Sequence, residues 1–374
     1  MIPLHRPVYE KNEQEYLASA MEHKTGQTSF CKLNEEWLAA YMGRNAMMTN
    51  SCTSALELSA ELLYAKPGME VIMPSFTFSS TANAFVKAGL VPVFVDIRKD
   101  TLNIDENKVE EAITDKTVAI VPMHYAGIAC EMDKITEIAK GYNLTVIEDA
   151  AQALGARYKG KKLGSIGDFG CVSFHETKNF SMGEGGALLV RDSKNIERAE
   201  IIREKGTNRT KFFRGQIDKY TWVDAGSSYL PSELNAAHLF AQMEKVQEIQ
   251  NNRMSCWNLY YEMLKELAEE GIIEVPFVPL HCKHNAHMFY IKTKNLEERT
   301  RLIEYLKEKG IGAVFHYVPL HSSPAGKRFG SFFGEDKYTT KESERLLRLP
   351  LYYGLKDEEV DYVIKNFVEI INTL

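Results

Sequence analysis

The chain has 374 residues, with 45 Lys and Arg against 51 Asp and Glu, a formal net charge of −6 and 44% hydrophobic residues. That length exceeds one ordinary compact domain, so a large domain beside a smaller one is expected, and the mixed charges contain no basic run able to track a phosphodiester backbone. No stretch approaches the ~18 uninterrupted apolar residues that span a bilayer, and MIPLHRPVYE lacks the apolar core of a signal peptide, so a soluble cytoplasmic protein is expected.

In chain order, short apolar runs alternate with helical patterns from about residue 46 to 190. The runs are EVIMP (70–74), VPVFVDI (91–97), TVAIVPM (117–123), LTVIEDA (144–150) and CVSFH (171–175). Between them Ala55, Leu58 and Leu62 recur at helical spacing, as does the stretch 132–140. Strands apolar on both faces and separated by helices predict a parallel sheet covered on both sides, an α/β domain. The segment 235–270 then reads as one long helix carrying Leu239, Met243, Val246 and Ile249. After it come a strand at MFYIKT (288–293), a helix over 296–309, a strand at IGAVFHYV (311–318) and a closing helix from 357. The division is thus a large domain over 1–250 and a smaller α+β domain over 251–374. Six dispersed cysteines, Cys31, Cys52, Cys130, Cys171, Cys256 and Cys282, form no CxxC pair and read as free thiols.

In such sheets ligands sit beyond the carboxyl ends of the strands, and four segments there carry chemistry. TNSCTSALEL (49–58) sets small hydroxyl residues at a helix start, where Thr53 and Ser54 can bond a phosphate; alone it is also a plain N-cap. MPSFTFSSTANA (73–84) offers Phe76 and Phe78, either of which can lie against a flat ring or pack in the core. VIEDAAQALG (146–155) closes a strand on Glu148 and Asp149, followed by Gln152. A carboxylate there, with Asp149 the better candidate, can hold the protonated nitrogen of a pyridine ring and keep it electron-withdrawing. CVSFHETKN (171–179) carries Lys178, and GEGG (183–186) follows it. A lysine whose charged form is disfavoured can take an aldehyde as a Schiff base and carry protons. Each feature has an ordinary reading as cap, core or surface, but together at one sheet edge they match the needs of pyridoxal 5′-phosphate (PLP).

SCTSA, PSFTF, EDAAQ, SFHETKN with GEGG, and FHYVPLH with LRLPLY occur in the order and spacing of the DegT/DnrJ/EryC1/StrS sugar aminotransferases, which the chain resembles over nearly its whole length. The resemblance implies an α/β fold of the PLP-dependent transferase type I (aspartate aminotransferase-like) kind, with a mostly parallel sheet in the large domain. It also implies a homodimer with shared active sites and PLP as cofactor. By matching motif, Lys178 resembles the Schiff-base lysine, Asp149 the partner of the pyridine nitrogen and Phe78 the stacked ring. Thr53, Ser54 and Ser173 resemble phosphate ligands, and Gln152 a residue near the ring hydroxyl. There is one departure: where many relatives have GYN, whose asparagine reaches the partner's cofactor phosphate, this chain has Gly226, Ser227 and Ser228. Ser228 takes that place with a shorter side chain.

VPMHYAGIACEMD, FFRGQIDKYTW and FGEDKYTTKESERLLRLPLYY resemble the members of this family that aminate carbon 4 of dTDP-4-keto-6-deoxyglucose. A dTDP-sugar and L-glutamate are therefore the expected partners, with no nucleic acid and no membrane. His316, Tyr317 and His321 lie in a motif that the family brings near the substrate, and they suit strand-and-loop packing equally well. Arg209, or the nearby Lys205, can meet a diphosphate or remain solvated. His281, Cys282, His284 and His287 lack the paired spacing of a structural zinc motif, so no metal is expected. Two rival functions remain on this fold. Related PLP-dependent sugar dehydratases carry histidine in place of the lysine, which Lys178 argues against, and a non-catalytic nucleotide-sugar sensor would not need Lys178 and Asp149. The gluco epimer and a 3-amino sugar stay open as products.

Overall fold

Eight strands form the central sheet of the computed structural model, which describes residues 1–10, 12–22, 29–371 and 373. They are β1 (Asn45–Thr49), β2 (Glu70–Pro74), β3 (Val91–Val95), β4 (Thr117–Ile120), β5 (Thr145–Asp149), β6 (Phe169–Ser173), β7 (Gly186–Val190) and, from far along the chain, β9 (Ser331–Phe332). Their order is β1-β7-β6-β5-β4-β2-β3-β9. The pairs from β9 through β6 are parallel, and β7 runs antiparallel to both of its neighbours.

Alternation along the strands feeds two apolar layers. Val71, Ala119 and Ile147 enter one cluster with Leu56, Leu58 and Phe85, and Ile72, Ile120 and Val146 enter another with Ile135 and Ile138 on the opposite face. Burying each such side chain stabilises by roughly 1.5–3 kcal/mol, which explains why these strands read as unbroken apolar runs. The covering helices include α3 (Cys52–Glu61), α4 (Ser79–Lys87) and α5 (Met132–Tyr142); α1 (Glu13–Glu22) and α2 (Phe30–Met42) precede them.

The expected long helix over 235–270 is two helices, α6 (Glu233–Met243) and α7 (Val246–Glu269). The chain leaves helical torsions at Lys245 (φ −115°, ψ 18°). At this break Glu244 accepts from the Tyr16 hydroxyl at 3.0 Å and Lys245 meets Glu10 at 2.5 Å, long-range ties that a periodic pattern does not encode.

A second unit packs Trp257, Tyr260 and Leu264 of α7 against Leu302 and Leu306 of α8 (Leu296–Glu308) and Val363 and Phe367 of α9 (Asp357–Ile371). Its small sheet pairs β8 (Phe289–Lys292) with β10 (Leu346–Leu349), antiparallel. The strand expected over 311–318 is not formed. That segment makes only isolated bridges, Ile311 to Ile2 and Val314 to Arg348, because its two neighbours meet it at different points. The N-terminus is part of this unit: the Gly312 amide donates to the Ile2 carbonyl at 2.8 Å, and the Leu351 amide to Leu4 at 3.1 Å. Among the described residues no helix is long and apolar enough to cross a membrane.

Candidate active site

The carboxyl ends of β2, β5 and β6 and the start of α3 surround a cavity of about 470 Å³, closed on its other side by residues 315–318 and Arg348. At one end, Ser51 caps α3 by accepting the Ser54 amide at 3.0 Å. The amides of Cys52 and Thr53 have no acceptor within the helix, and both residues line the cavity, so the helix presents free donors and partial positive charge to an anion. Ser173 closes β6 beside them. Gly186 makes this approach possible, since a Cβ there would lie 2.5 Å from the Ser51 carbonyl carbon. Ser54 is turned the other way: its hydroxyl bonds Asn50 Oδ1 at 2.6 Å, and it does not line the cavity.

β5 sends its two terminal acids to opposite sides. Glu148 accepts amides of Gly164, Ile166 and Gly167 at 2.6–2.7 Å and meets His124 Nε2 at 2.8 Å. Burial alone would raise its pKa, but the bond to His124 and these amides hold the carboxyl below its ordinary value. Glu148 is thereby a structural anchor. Asp149, 4% exposed, faces the cavity and keeps its orientation through the Thr81 hydroxyl (2.7 Å) and the Ala151 amide (3.1 Å).

Lys178 stands in the loop after β6, where its amide donates to the His175 carbonyl at 2.9 Å. Its ammonium makes no hydrogen bond or ion pair among the described residues. Burial holds its pKa below the usual value, Cys52 and Asp149 pull the other way, and Arg348 adds to the depression. Asn179 next to it donates to the Asn285 carbonyl at 2.8 Å, fixing the loop.

The two candidate aromatic residues separate cleanly. Phe76 is fully buried against Tyr125, with ring centroids 5.0 Å apart, whereas Phe78 is 58% exposed and lines the cavity 6.3 Å from the Tyr317 ring. Gln152 accepts the Ala126 amide at 2.7 Å and donates to the Tyr317 hydroxyl at 2.9 Å. His316 stacks on Tyr317 at 3.9 Å. Burial, reinforced by Arg348 and Lys178, keeps His316 neutral, with its pKa well below the usual value.

Other expected residues lie elsewhere. His321 is outside the cavity, with Nδ1 2.7 Å from Ser75 Oγ and Nε2 3.2 Å from Asp336. Arg209 lies over the Phe213 ring at 4.9 Å, and Ser228 is exposed, its carbonyl accepting from Asn50 at 3.2 Å. His281 bonds Glu131, His284 packs on Trp257 and His287 bonds Asn179. Sequence reasoning missed Arg348 and Thr81. The signal for Arg348 was a cation interrupting the apolar strand LLRL.

A buried lysine of depressed pKa, a strand-end carboxylate, a helix terminus open to an anion and an exposed aromatic ring meet in one cavity, and these residues fit the aldehyde, ring nitrogen, phosphate and ring face of PLP. The chain belongs to the DegT/DnrJ/EryC1/StrS aminotransferase family, whose model matches residues 7–368. Members of this family depend on PLP, and the fold is that of the type I PLP-dependent transferases. The chain is 34% identical to the spore coat polysaccharide biosynthesis protein SpsC of Bacillus subtilis, over 90% of this chain and 88% of the relative. It is 32% identical to GDP-perosamine synthase of Caulobacter vibrioides, over 98% and 97%. A Streptococcus pneumoniae protein described as a sugar aminotransferase, in its PMP form, superimposes over 100% of both chains with a TM-score of 0.91 at 27% identity.

Proposed function

We propose that this enzyme transfers the amino group of L-glutamate to carbon 4 of dTDP-4-keto-6-deoxy-D-glucose, giving dTDP-4-amino-4,6-dideoxy-D-galactose and 2-oxoglutarate. The observation that carries the reading is the placement of Lys178 and Asp149 in one cavity. PLP supplies there an aldehyde that accepts the amino group and a ring that spreads the resulting negative charge. Lys178 Nζ would hold the aldehyde carbon and, once free of it, would take the proton from the donor's α-carbon and deliver one to sugar carbon 4. The face it occupies determines the configuration. Asp149 keeps the ring nitrogen protonated by its adjacent negative charge. Thr53, Ser173 and the first amides of α3 bind the phosphate, Phe78 covers a ring face, and Tyr317, held by Gln152, meets the sugar.

The choice of sugar is supported by sequence segments similar to those of the enterobacterial dTDP-4-amino-4,6-dideoxygalactose transaminase, which serves common-antigen synthesis. We read the assembly as a cytoplasmic homodimer. The exposed Phe213, Tyr220 and Trp222 suit a subunit contact. Arg209 and Ser228, which do not line this chain's own cavity, would then serve the partner's diphosphate and cofactor phosphate. The apolar cluster of residues 256–371, which Ile2 joins from the other end of the sequence, supports reading 251–374 as the body of the smaller domain beside 1–250. NMR of the product formed from dTDP-4-keto-6-deoxyglucose and glutamate tests the proposal. An axial 4-amino group is expected; an equatorial one, or amination at carbon 3, overturns the choice of product.

A further inference from the structure

Arg348 of β10 reaches the cavity wall as a cation without a matching acid. Its Nη1 donates to His316 Nε2 at 2.6 Å, its Nε is buried without a partner, and among the described residues it has no ion pair. Apart from Lys178, the neighbouring cations are provided for. Lys292 sits between Glu274 (2.7 Å) and Glu342 (2.9 Å), and Arg345 meets Glu274 at 2.7 Å. The buried Arg253 donates to the carbonyls of Ala286 and His287 at 3.2 and 2.8 Å. A guanidinium withdrawn from water with one bond to a neutral imidazole is unfavourable unless an anion completes it.

We propose that Arg348, aimed by His316, binds the α-carboxylate of the amino donor. This inference rests on the aminotransferase reading and goes beyond it by assigning a donor subsite. The cofactor's phosphate would be met by the start of α3 and its protonated ring nitrogen by Asp149, so neither calls on Arg348. What remains for Arg348 must arrive with a substrate. Only the donor carries an anion directly on its reacting carbon; in the nucleotide sugar the diphosphate is joined at carbon 1, across the ring from carbon 4. A planar fork of donors suits a carboxylate. His316 is the positioning residue: because Nε2 accepts from Arg348, Nδ1 carries the hydrogen and donates to the Tyr125 hydroxyl at 3.2 Å, so the ring cannot turn without losing both bonds.

The test follows the two half-reactions of the holoenzyme separately by cofactor absorbance, in wild type, R348K and R348M. L-glutamate is compared with 4-aminobutyrate, which keeps the distal carboxylate and lacks the α one. We expect kcat/KM for glutamate to fall about 10- to 100-fold in R348M, the loss of a charged hydrogen-bonded pair, with R348K between, while 4-aminobutyrate and the keto-sugar half-reaction are unchanged. Unchanged sugar kinetics also show that the variants are folded. H316F should weaken glutamate more than 4-aminobutyrate, raising KM for glutamate more than it lowers kcat. An equal loss for both donors, or a loss confined to the keto sugar, overturns the assignment. Failure of wild-type holoenzyme to respond to any amino acid overturns instead the aminotransferase reading beneath it.

Discussion

Gln152 joins two parts of the molecule that sequence keeps far apart: its Nε2 donates to the Tyr317 hydroxyl at 2.9 Å while its Oε1 accepts the Ala126 amide at 2.7 Å. The amide group is thereby held at both ends, and it orients a phenol that lines the cavity. Gln152→Ala should lower kcat/KM for the keto sugar about 5- to 10-fold, the value of one hydrogen bond, and leave the donor half-reaction unaltered. Stopped-flow absorbance on each half-reaction measures both, and equal effects on the two would show that Tyr317 is not a sugar contact.

Lys178→Ala should abolish the absorbance of the bound cofactor–lysine adduct and reduce turnover by at least about 10³-fold. The variant should still bind PLP through α3 and Asp149, which equilibrium dialysis reads. Turnover at the normal rate would refute the assigned role.

Asp149→Ala should retain cofactor but slow proton transfer by about 10²-fold or more, because the ring nitrogen then loses its counter-charge. Single-turnover rates decide the matter; an unchanged rate removes Asp149 from the chemistry.

Gly186→Ala places a methyl group against the Ser51 carbonyl, which is backbone and cannot turn aside. A loss of about 1–3 kcal/mol in unfolding free energy is expected, together with weaker PLP binding, since the start of α3 must shift. Denaturant unfolding and PLP titration report the two effects separately, and a neutral result in both would contradict the close approach.

Acid stability should depend on Glu274. Despite burial, which acts to raise it, the hydrogen bonds from Lys292 and Arg345 bring its pKa down to about 2 from an ordinary value of 4.5. A carboxyl depressed on folding stabilises the native state above its unfolded pKa and loses that contribution as pH falls through the folded one, so the loss spans pH 4.5 to 2. Glu274→Gln should flatten the melting temperature across this window, whereas an unchanged slope would assign the acid limb to other carboxylates.

Much of the central sheet is legible in the sequence because its strands are buried on both faces, and that burial writes itself as unbroken apolar runs. EVIMP and VPVFV become β2 and β3 at those positions. The gathering of Thr53, Phe78, Asp149, Gln152, Ser173 and Lys178 around one cavity follows from each lying at or just beyond the end of a strand. What escaped was decided by distant partners. At the break Lys245 meets Glu10, and 311–318 is bridged only at Ile2 and Arg348, contacts far away in sequence. Ser54 and Thr53 are adjacent and chemically alike, yet Asn50 captures only the Ser54 hydroxyl. Arg348 was invisible as a site residue because a lone charge in a strand ordinarily points to solvent.

The bridge between Ile2 and Ile311 has a bearing on how the molecule is assembled. Leu4 and His5 line the active-site cavity, so a segment some three hundred positions away in sequence must dock before that cavity is complete. Until then the wall that carries His316 and Tyr317 lacks one of its supports. The central sheet can be formed while the cavity is still incomplete, and Ile2→Gly should loosen that wall without unravelling the sheet.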